Sequence, residues 1–276
     1  MVWNRAPKWP FTGETQMGIT LSGLQNLRDL GVFPTRGKIL DIGSSNLYQA
    51  DASGLETFAK SFGRSLDAQL AQRLAAGSAY GGVTKNESFV GELLEHIGLD
   101  YLSFDIANGY HTQKFDLNVE HLPSKLRSTF DVVLNYGTTE HIFDQLNSFR
   151  VIHDAVKVGG HIVHQLPAAG HIRHGYFCYT PRFFFDLAGH NEYEIVHFSY
   201  NGPIPGPDIH QIVRDYAAYF PALTKNDNAL SRSIEDLSLD IVLKKIRDLP
   251  LRLPVETSTS VVVDSPSKGM LARLFQ

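Results

Sequence analysis

Lys38-Ile-Leu-Asp-Ile-Gly-Ser-Ser-Asn46 is the stretch from which the rest of this chain can be read. An apolar, β-branched run ends in an acid and a glycine, and small polar residues follow. A buried parallel strand has this composition where it opens into a nucleotide-binding turn. Glycine at 43 lets the backbone approach a ligand where a Cβ would collide. Asp41 leaves a carboxylate at the carboxyl end of the strand, the edge at which open α/β sheets bind ligands.

Before this strand, residues 1–18 read as an irregular arm carrying Trp3, Trp9 and Phe11. From Ser22 the pattern is helical: Leu21, Leu24, Leu27 and Leu30 recur at helical spacing, Ser22 and Gln25 can form a capping box, and Gly31 suits the stop. After the strand, the next strand-like run, Tyr101-Leu-Ser-Phe-Asp105, comes late. The segment between, about 47–99, reads as a helical insertion on the ligand edge. Ser53 and Glu56 form a capping box before Leu55, Phe58 and Phe62; Leu66, Leu70 and Leu74 mark a second helix; Phe89, Leu93, Leu94 and Ile97 mark a third that ends at Gly98. Gly77-Ser-Ala-Tyr-Gly-Gly82 is a flexible loop by composition, and the whole insertion reads as a lid or substrate wall.

A short strand is expected near Phe115-Asp116, then a buried one over Phe130–Asn135. A helix follows with Ile142, Leu146, Phe149, Ile152 and Val156 on its apolar side, Gly159-Gly160 is read as its stop, and His161–Pro167 as the next strand. Such a unit is a right-handed crossover. Beyond Pro181 come a helix over Arg182–Ala188 and two late strands, Tyr193–Phe198 and Leu237–Leu243. The fold class is therefore α/β, a doubly wound and mostly parallel sheet over residues 1–249, with 250–276 as a C-terminal tail, mobile by composition.

Composition excludes several classes. A hydrophobic share of 43% and a charged share of 20% over 276 residues are those of an ordinary globular protein. The formal net charge of -4 supplies no basic field for nucleic acid or an anionic membrane. One cysteine, Cys178, rules out an internal disulfide and a multi-cysteine metal site. The N-terminus lacks the apolar core of a signal peptide, and no apolar run approaches the roughly 20 residues of a membrane span. A cytoplasmic protein working on a small molecule, with neither nucleic acid nor membrane as partner, is the expectation; the oligomeric state stays open.

Four places now line up in order: the Asp41/Gly43 turn, Asp105 ending the second strand, Phe115-Asp116-Leu117 after the third, and Asp131-Val-Val-Leu-Asn-Tyr-Gly-Thr-Thr-Glu-His141 leading to a helix and Gly-Gly. Together they resemble the class I S-adenosylmethionine-dependent methyltransferases, whose sheet has seven strands and whose first motif is written Asp-x-Gly-x-Gly-x-Gly. Ser45 and Leu47 stand here at the second and third glycine positions. The late strands resemble the closing antiparallel hairpin of that family, and the likeness covers about 38–245.

The resemblance implies S-adenosylmethionine as cofactor. It places Asp41, Gly43 and Ser45 beside the methionine part, and Asp105, with Asp100 as a rival, on the ribose hydroxyls. It places Asp116 and Leu117 at the adenine, and Asn135 and Tyr136 along the floor near the sulfonium. Each has a plainer reading: Asp41 could cap a neighbouring turn, Asp116 could form an Asx turn with Asn118, and Glu140 could favour a helix dipole.

Methyl transfer to a hydroxyl needs a proton acceptor, and histidine suits that role near neutral pH. His141 follows the fourth strand; His171 and His174 follow the fifth, beside Arg173, Tyr176 and Tyr179. His141 is the first choice of base, since by resemblance that turn passes nearest the sulfonium. His161 and His164 sit three apart on a strand and face opposite sides, so they cannot chelate together. No metal is expected, although His171, His174 and Glu140 or His141 could converge on a divalent ion. The function expected is methylation of a small polar molecule, such as a sugar or glycosylated metabolite, at oxygen. A catalytically silent relative and a nicotinamide-dependent oxidoreductase are the alternatives.

Overall fold

The computed structural model describes residues 18–78, 87–169, 171, 174–201 and 237–256. The arm before 18, most of the Gly77–Gly82 loop and the tail beyond 256 lie outside them.

The strand that opens at Lys38 forms as its composition requires: β2 (Lys38–Ile42) has Ile39, Leu40 and Ile42 fully buried. It lies between β4 (Asp100–Asp105) and β6 (Phe130–Tyr136), parallel to both. With β5 (Thr112–Lys114), β7 (Val156–Ala169), β8 (Tyr193–Asn201) and β9 (Leu237–Lys245), the sheet runs β5-β4-β2-β6-β7-β9-β8. Only β9 runs against its neighbours β7 and β8. The chain reverses its direction of travel across the sheet at β2, so the carboxyl ends of β2 and β6 flank the crevice where such sheets bind ligands.

Alternation along the strands divides the core in two. Ile39, Val132, Leu134 and Val163 face the front layer, made of α1 (Leu21–Asp29), α2 (Ala52–Ser61), α3 (Ala68–Gly77) and α4 (Val90–His96). Leu40, Ile42, Val133 and Ile162 face the back layer, α5 (Gln145–Ala155) and α6 (Pro181–Asn191). The segment read as an insertion belongs to the front core. Leu55, Phe58, Leu74 and Leu94 are fully buried in one cluster with Ile39 and Val132. At about 1.5–3 kcal/mol for each such side chain, α2–α4 hold the front of the sheet together.

Several expected boundaries move for identifiable reasons. Thr20, not Ser22, caps α1 by accepting from the Gly23 amide. Asp51 caps α2 in place of Ser53, accepting from Gly54. The helix expected from Ile142 begins at Gln145 behind Asp144, whose carboxylate accepts from Asn147. Gly159-Gly160 does not stop it: α5 ends at Ala155, and β7 runs through the glycines with a register shift against β6. Gly159 takes φ +84° there, and a Cβ on Gly160 would lie 2.8 Å from the Asp131 carbonyl oxygen, so the pair forms a bulge.

Two further features were not foreseen. A parallel pair, β1 (Gly18–Thr20) with β3 (Asn46–Tyr48), joins the start of α1 to the turn after β2. Residues 250–256, the first part of the expected tail, are tied to the back layer. Leu249 accepts from His153, and Arg252 exchanges two hydrogen bonds with Asn191.

Candidate active site

The turn after β2 is built around Asp41, which is fully buried. Its Oδ2 accepts from the Ser45 amide and the Tyr101 hydroxyl, both at 2.6 Å, and its Oδ1 accepts from Ser45 Oγ at 2.9 Å. Burial pushes its pKa up, and the Tyr101 and Ser45 hydrogen bonds pull it back part of the way. Asp41 therefore shapes the turn from within. Ser45 and Leu47, at the two missing glycine positions, are also turned inward and buried, so neither crowds the ligand edge. Gly43 has φ +107° and Ser44 φ +46°, consecutive left-handed residues that such a turn requires. What approaches Gly43 is Thr138: a Cβ there would lie 2.0 Å from Thr138 Oγ1, which donates to the Ile42 carbonyl at 2.6 Å. The turns leaving β2 and β6 are thus fastened to each other.

Asp105 ends β4 one residue beyond Phe104, which pairs with Ile42, so it stands level with Gly43 on the next strand. Its Oδ1 accepts from the Ala107 amide, and its second oxygen carries no hydrogen bond among the described residues. Asp100, its rival, begins β4 at the opposite end of the sheet. Asp116 forms the Asx turn, accepting from the amide and side chain of Asn118, with Leu117 buried beside it. Asn135 is buried facing the back layer, where its Nδ2 donates to Thr139 Oγ1 and His164 Nδ1 and its Oδ1 accepts from the Thr139 amide. It organises the turn after β6 and does not line an open floor. Tyr136, the last residue of β6, faces the front.

That turn carries Glu140 and His141. Gln145 Nε2 donates to the Thr139 and Ile142 carbonyls, and the Tyr179 hydroxyl donates to Gln145 Oε1. The Tyr176 amide donates to the Glu140 carbonyl at 2.7 Å, and Gly175, at φ +70°, packs so closely that a Cβ would meet Glu140 Cγ at 2.8 Å. His174 is thereby delivered to Glu140: its Nε2 lies 3.2 Å from Glu140 Oε1, and His141 Nε2 lies 3.8 Å from the same oxygen. The two rings meet edge to face at 4.5 Å. Glu140 is 1% exposed, yet its Oε2 has no hydrogen-bond partner among the described residues, and neither has His141 Nε2. Burial lowers the pKa of His141. His171 stands farther out, its ring 5.8 Å from that of His174 and its Nε2 near Ser238 Oγ. Arg173 lies outside the described residues.

A cavity of about 1090 Å³ lies between α1 and the front of the sheet, and Tyr136, Gln165, Asp240, His197 and Ser199 are among the residues that line it. Gln165 donates to Asp240 at 2.9 Å, and burial pushes the Asp240 carboxyl up to about 6. Behind the sheet, His164 sits against Phe149 and Phe184 and is held neutral, its pKa lowered by burial to about 3.

Sequence reasoning missed Tyr101, Thr138, Gln145 and Asp240, and it placed Tyr179 beside the histidines without its contact to Thr139. Tyr101 shares a face with Ser103 by alternation, which is the one local signal. The others act across the sheet or between loops.

No protein-family model matches the sequence, and no curated protein matches it. Among solved structures, similar chains include an S-adenosylmethionine-dependent methyltransferase from Archaeoglobus fulgidus, at 12% identity over 80% of this chain and 92% of the other, TM-score 0.42. A phosphoethanolamine N-methyltransferase 2 of Haemonchus contortus, solved with S-adenosyl-L-methionine, shows 15% identity over 81% of this chain and 52% of its own, TM-score 0.40. A putative sarcosine dimethylglycine methyltransferase of Galdieria sulphuraria shows 12% identity over 80% and 83%, TM-score 0.41. Likeness at this level carries no statement about activity. The chain's own sheet, seven strands in the order β5-β4-β2-β6-β7-β9-β8 with β9 reversed, is the doubly wound, mostly parallel α/β sheet expected from the sequence.

Proposed function

We propose that this protein is an S-adenosylmethionine-dependent methyltransferase that methylates a small polar acceptor at oxygen. The observation that carries the reading is the crevice at the carboxyl ends of β2, β4 and β6. A strained Gly43-Ser44 turn there stands level with the uncommitted oxygen of Asp105; Glu140 and His141 occupy the next turn, and His174, from the loop after β7, meets them. The inward placement of Ser45 and Leu47 supports it, because the turn keeps a clear edge without the second and third glycines.

The bound cofactor supplies a methyl group on a sulfonium carbon, and the residues of the chain do the rest. Asp105 accepts from the ribose hydroxyls, and Asp116 and Leu117 flank the adenine. The Asp41–Ser45 turn holds the methionine end, with Tyr136 beyond it. His141 takes the acceptor proton, and Glu140 orients His174 beside it. The hydrogen-bonding lining of the front cavity, Gln165, Asp240 and Ser199 among it, supports an acceptor rich in hydroxyls.

Calorimetry with S-adenosylmethionine, S-adenosylhomocysteine and NAD tests the reading. The first two should bind and NAD should not. Asp105→Ala should weaken cofactor binding by about 1.5–3 kcal/mol, the worth of a charge-assisted hydrogen bond. No binding of either adenosyl compound, or tight binding of NAD, overturns it.

A further inference from the structure

We propose that Glu140, His141 and His174 bind one divalent transition-metal ion. Among the described residues, one ligand atom from each of the three falls within 4.8 Å of the others. Glu140 Oε1 lies 3.2 Å from His174 Nε2 and 3.8 Å from His141 Nε2. Donors about 2.0–2.1 Å from a shared ion stand roughly 3–3.5 Å apart, so only a small closure is needed.

The second observation is an unmet demand. Glu140 Oε2 and His141 Nε2 are buried without hydrogen-bond partners among the described residues, on a residue 1% exposed in the one case. A carboxylate oxygen sealed in protein costs free energy unless something positive meets it, and the single imidazole contact on Oε1 leaves the other oxygen wanting. A cation bound by the Glu140 carboxylate and His141 would meet the unpaired charge on the one and the free nitrogen on the other.

The third is the rigidity of the surroundings. Glu140 is clamped by the Tyr176 and Phe177 amides on its carbonyl and by Gly175 against its side chain. The preceding Thr139 is held by Asn135, Gln145 and Tyr179. Outer supports of this kind fix ligands in metal sites. Two imidazoles with one carboxylate suit zinc, iron, cobalt, nickel or manganese better than calcium or magnesium, and three protein ligands leave coordination positions open to a substrate oxygen.

The role of the ion rests on the proposed methyl transfer, but its binding does not. A metal there would acidify an acceptor hydroxyl held at its open position. His141 would then hold the ion, and the metal would favour loss of the acceptor proton; the free-base role of His141 belongs to the metal-free site.

The experiment is metal analysis and calorimetry on the full chain. Protein stripped with EDTA and dialysed is titrated with zinc, manganese and magnesium chlorides, and the cobalt(II) form is examined for visible absorption. About one equivalent of zinc should bind, magnesium should not compete, and the cobalt form should be coloured. Glu140→Gln should weaken zinc binding by about tenfold or more, and His174→Ala should abolish it. His171→Ala should keep about one equivalent. Circular dichroism verifies the fold of each variant, and Glu140→Gln, which keeps shape and volume, serves if His174→Ala unfolds. Absence of stoichiometric binding, or binding indifferent to both substitutions, overturns the site. Calorimetry with S-adenosylmethionine on the stripped protein separates the two ideas: zinc without cofactor binding sinks the methyltransferase reading alone, and cofactor without zinc binding sinks the metal site alone.

Discussion

Asp41 and Glu140 are both sealed from solvent, 0% and 1% exposed, and they sit on the turns of two neighbouring strands, β2 and β6. Their surroundings differ sharply. Asp41 accepts three hydrogen bonds, two on one oxygen and one on the other. Among the described residues, Glu140 has one imidazole hydrogen-bonded to one oxygen and no hydrogen bond on the other. The first carboxylate is a structural hub that finishes its own turn. The second is held rigidly by its backbone and left chemically incomplete, the arrangement of a group waiting for something to bind. Burial alone would have ranked the two as equals; satisfaction of the oxygens separates them.

The largest effect should come from breaking the satisfied member. Asp41→Ala leaves the Tyr101 hydroxyl, the Ser45 amide and the Ser45 hydroxyl without their acceptor. A loss of about 4 kcal/mol and a fall in Tm on the order of 10 °C are expected in thermal unfolding. A change of under about 1 kcal/mol would show that the hub is dispensable.

Asp240, a buried carboxyl served by Gln165 and Asn201, lies between these extremes. Its folded pKa of about 6 exceeds the ordinary 3.8, so its contribution to stability is fully present below about pH 3.8 and is lost as pH rises through about 6. Asp240→Asn should therefore stabilise the protein by up to about 3 kcal/mol at pH 7.5 and hardly at all at pH 3.5. Urea unfolding at the two pH values measures it, and equal effects at both would refute the assignment.

Gly43→Ala should cost about 2 kcal/mol, from its left-handed backbone and from the approach of Thr138 Oγ1. Adding Thr138→Ala should recover part of that cost if the contact between the two turns is its source, and the double variant's unfolding midpoint decides. The smallest effect is expected at the unsatisfied carboxylate. Glu140→Gln should change stability by less than about 1 kcal/mol in stripped protein, because it removes a buried charge that little supports. A penalty as large as that of Asp41→Ala would make Glu140 a second structural hub.

The order of elements was legible because β2, β6 and the apolar faces of α1, α5 and α6 each announce themselves within a few residues. The Gly159-Gly160 pair misled because a double glycine serves a bulge as readily as a helix stop, and only the register of β6 against β7 distinguishes them. The sequence pattern placed Asp41, Gly43, Asp105 and His141 at or just beyond strand ends, where the structure has them. Their partners were not visible. Tyr101 reaches Asp41 from the adjacent strand, Thr138 reaches Gly43 from the turn after β6, and Tyr179 supports Thr139 from forty residues on. Whether a buried carboxylate ends satisfied depends on such distant partners, so the contrast between Asp41 and Glu140 could not be read from the chain alone.

The short ladder between β1 and β3 has a consequence for how the molecule can move. Ile19 pairs with Leu47, four residues past Gly43, while α1 begins at Leu21. The first helix and the turn after β2 therefore share one stiff coupling. A rotation that opens α1 away from the front cavity must pull on the Asp41–Leu47 loop or break the ladder first. Entry to the cavity and the set of the turn are geared together, and a ligand that stiffens one end of the ladder should slow exchange of the amide protons at the other.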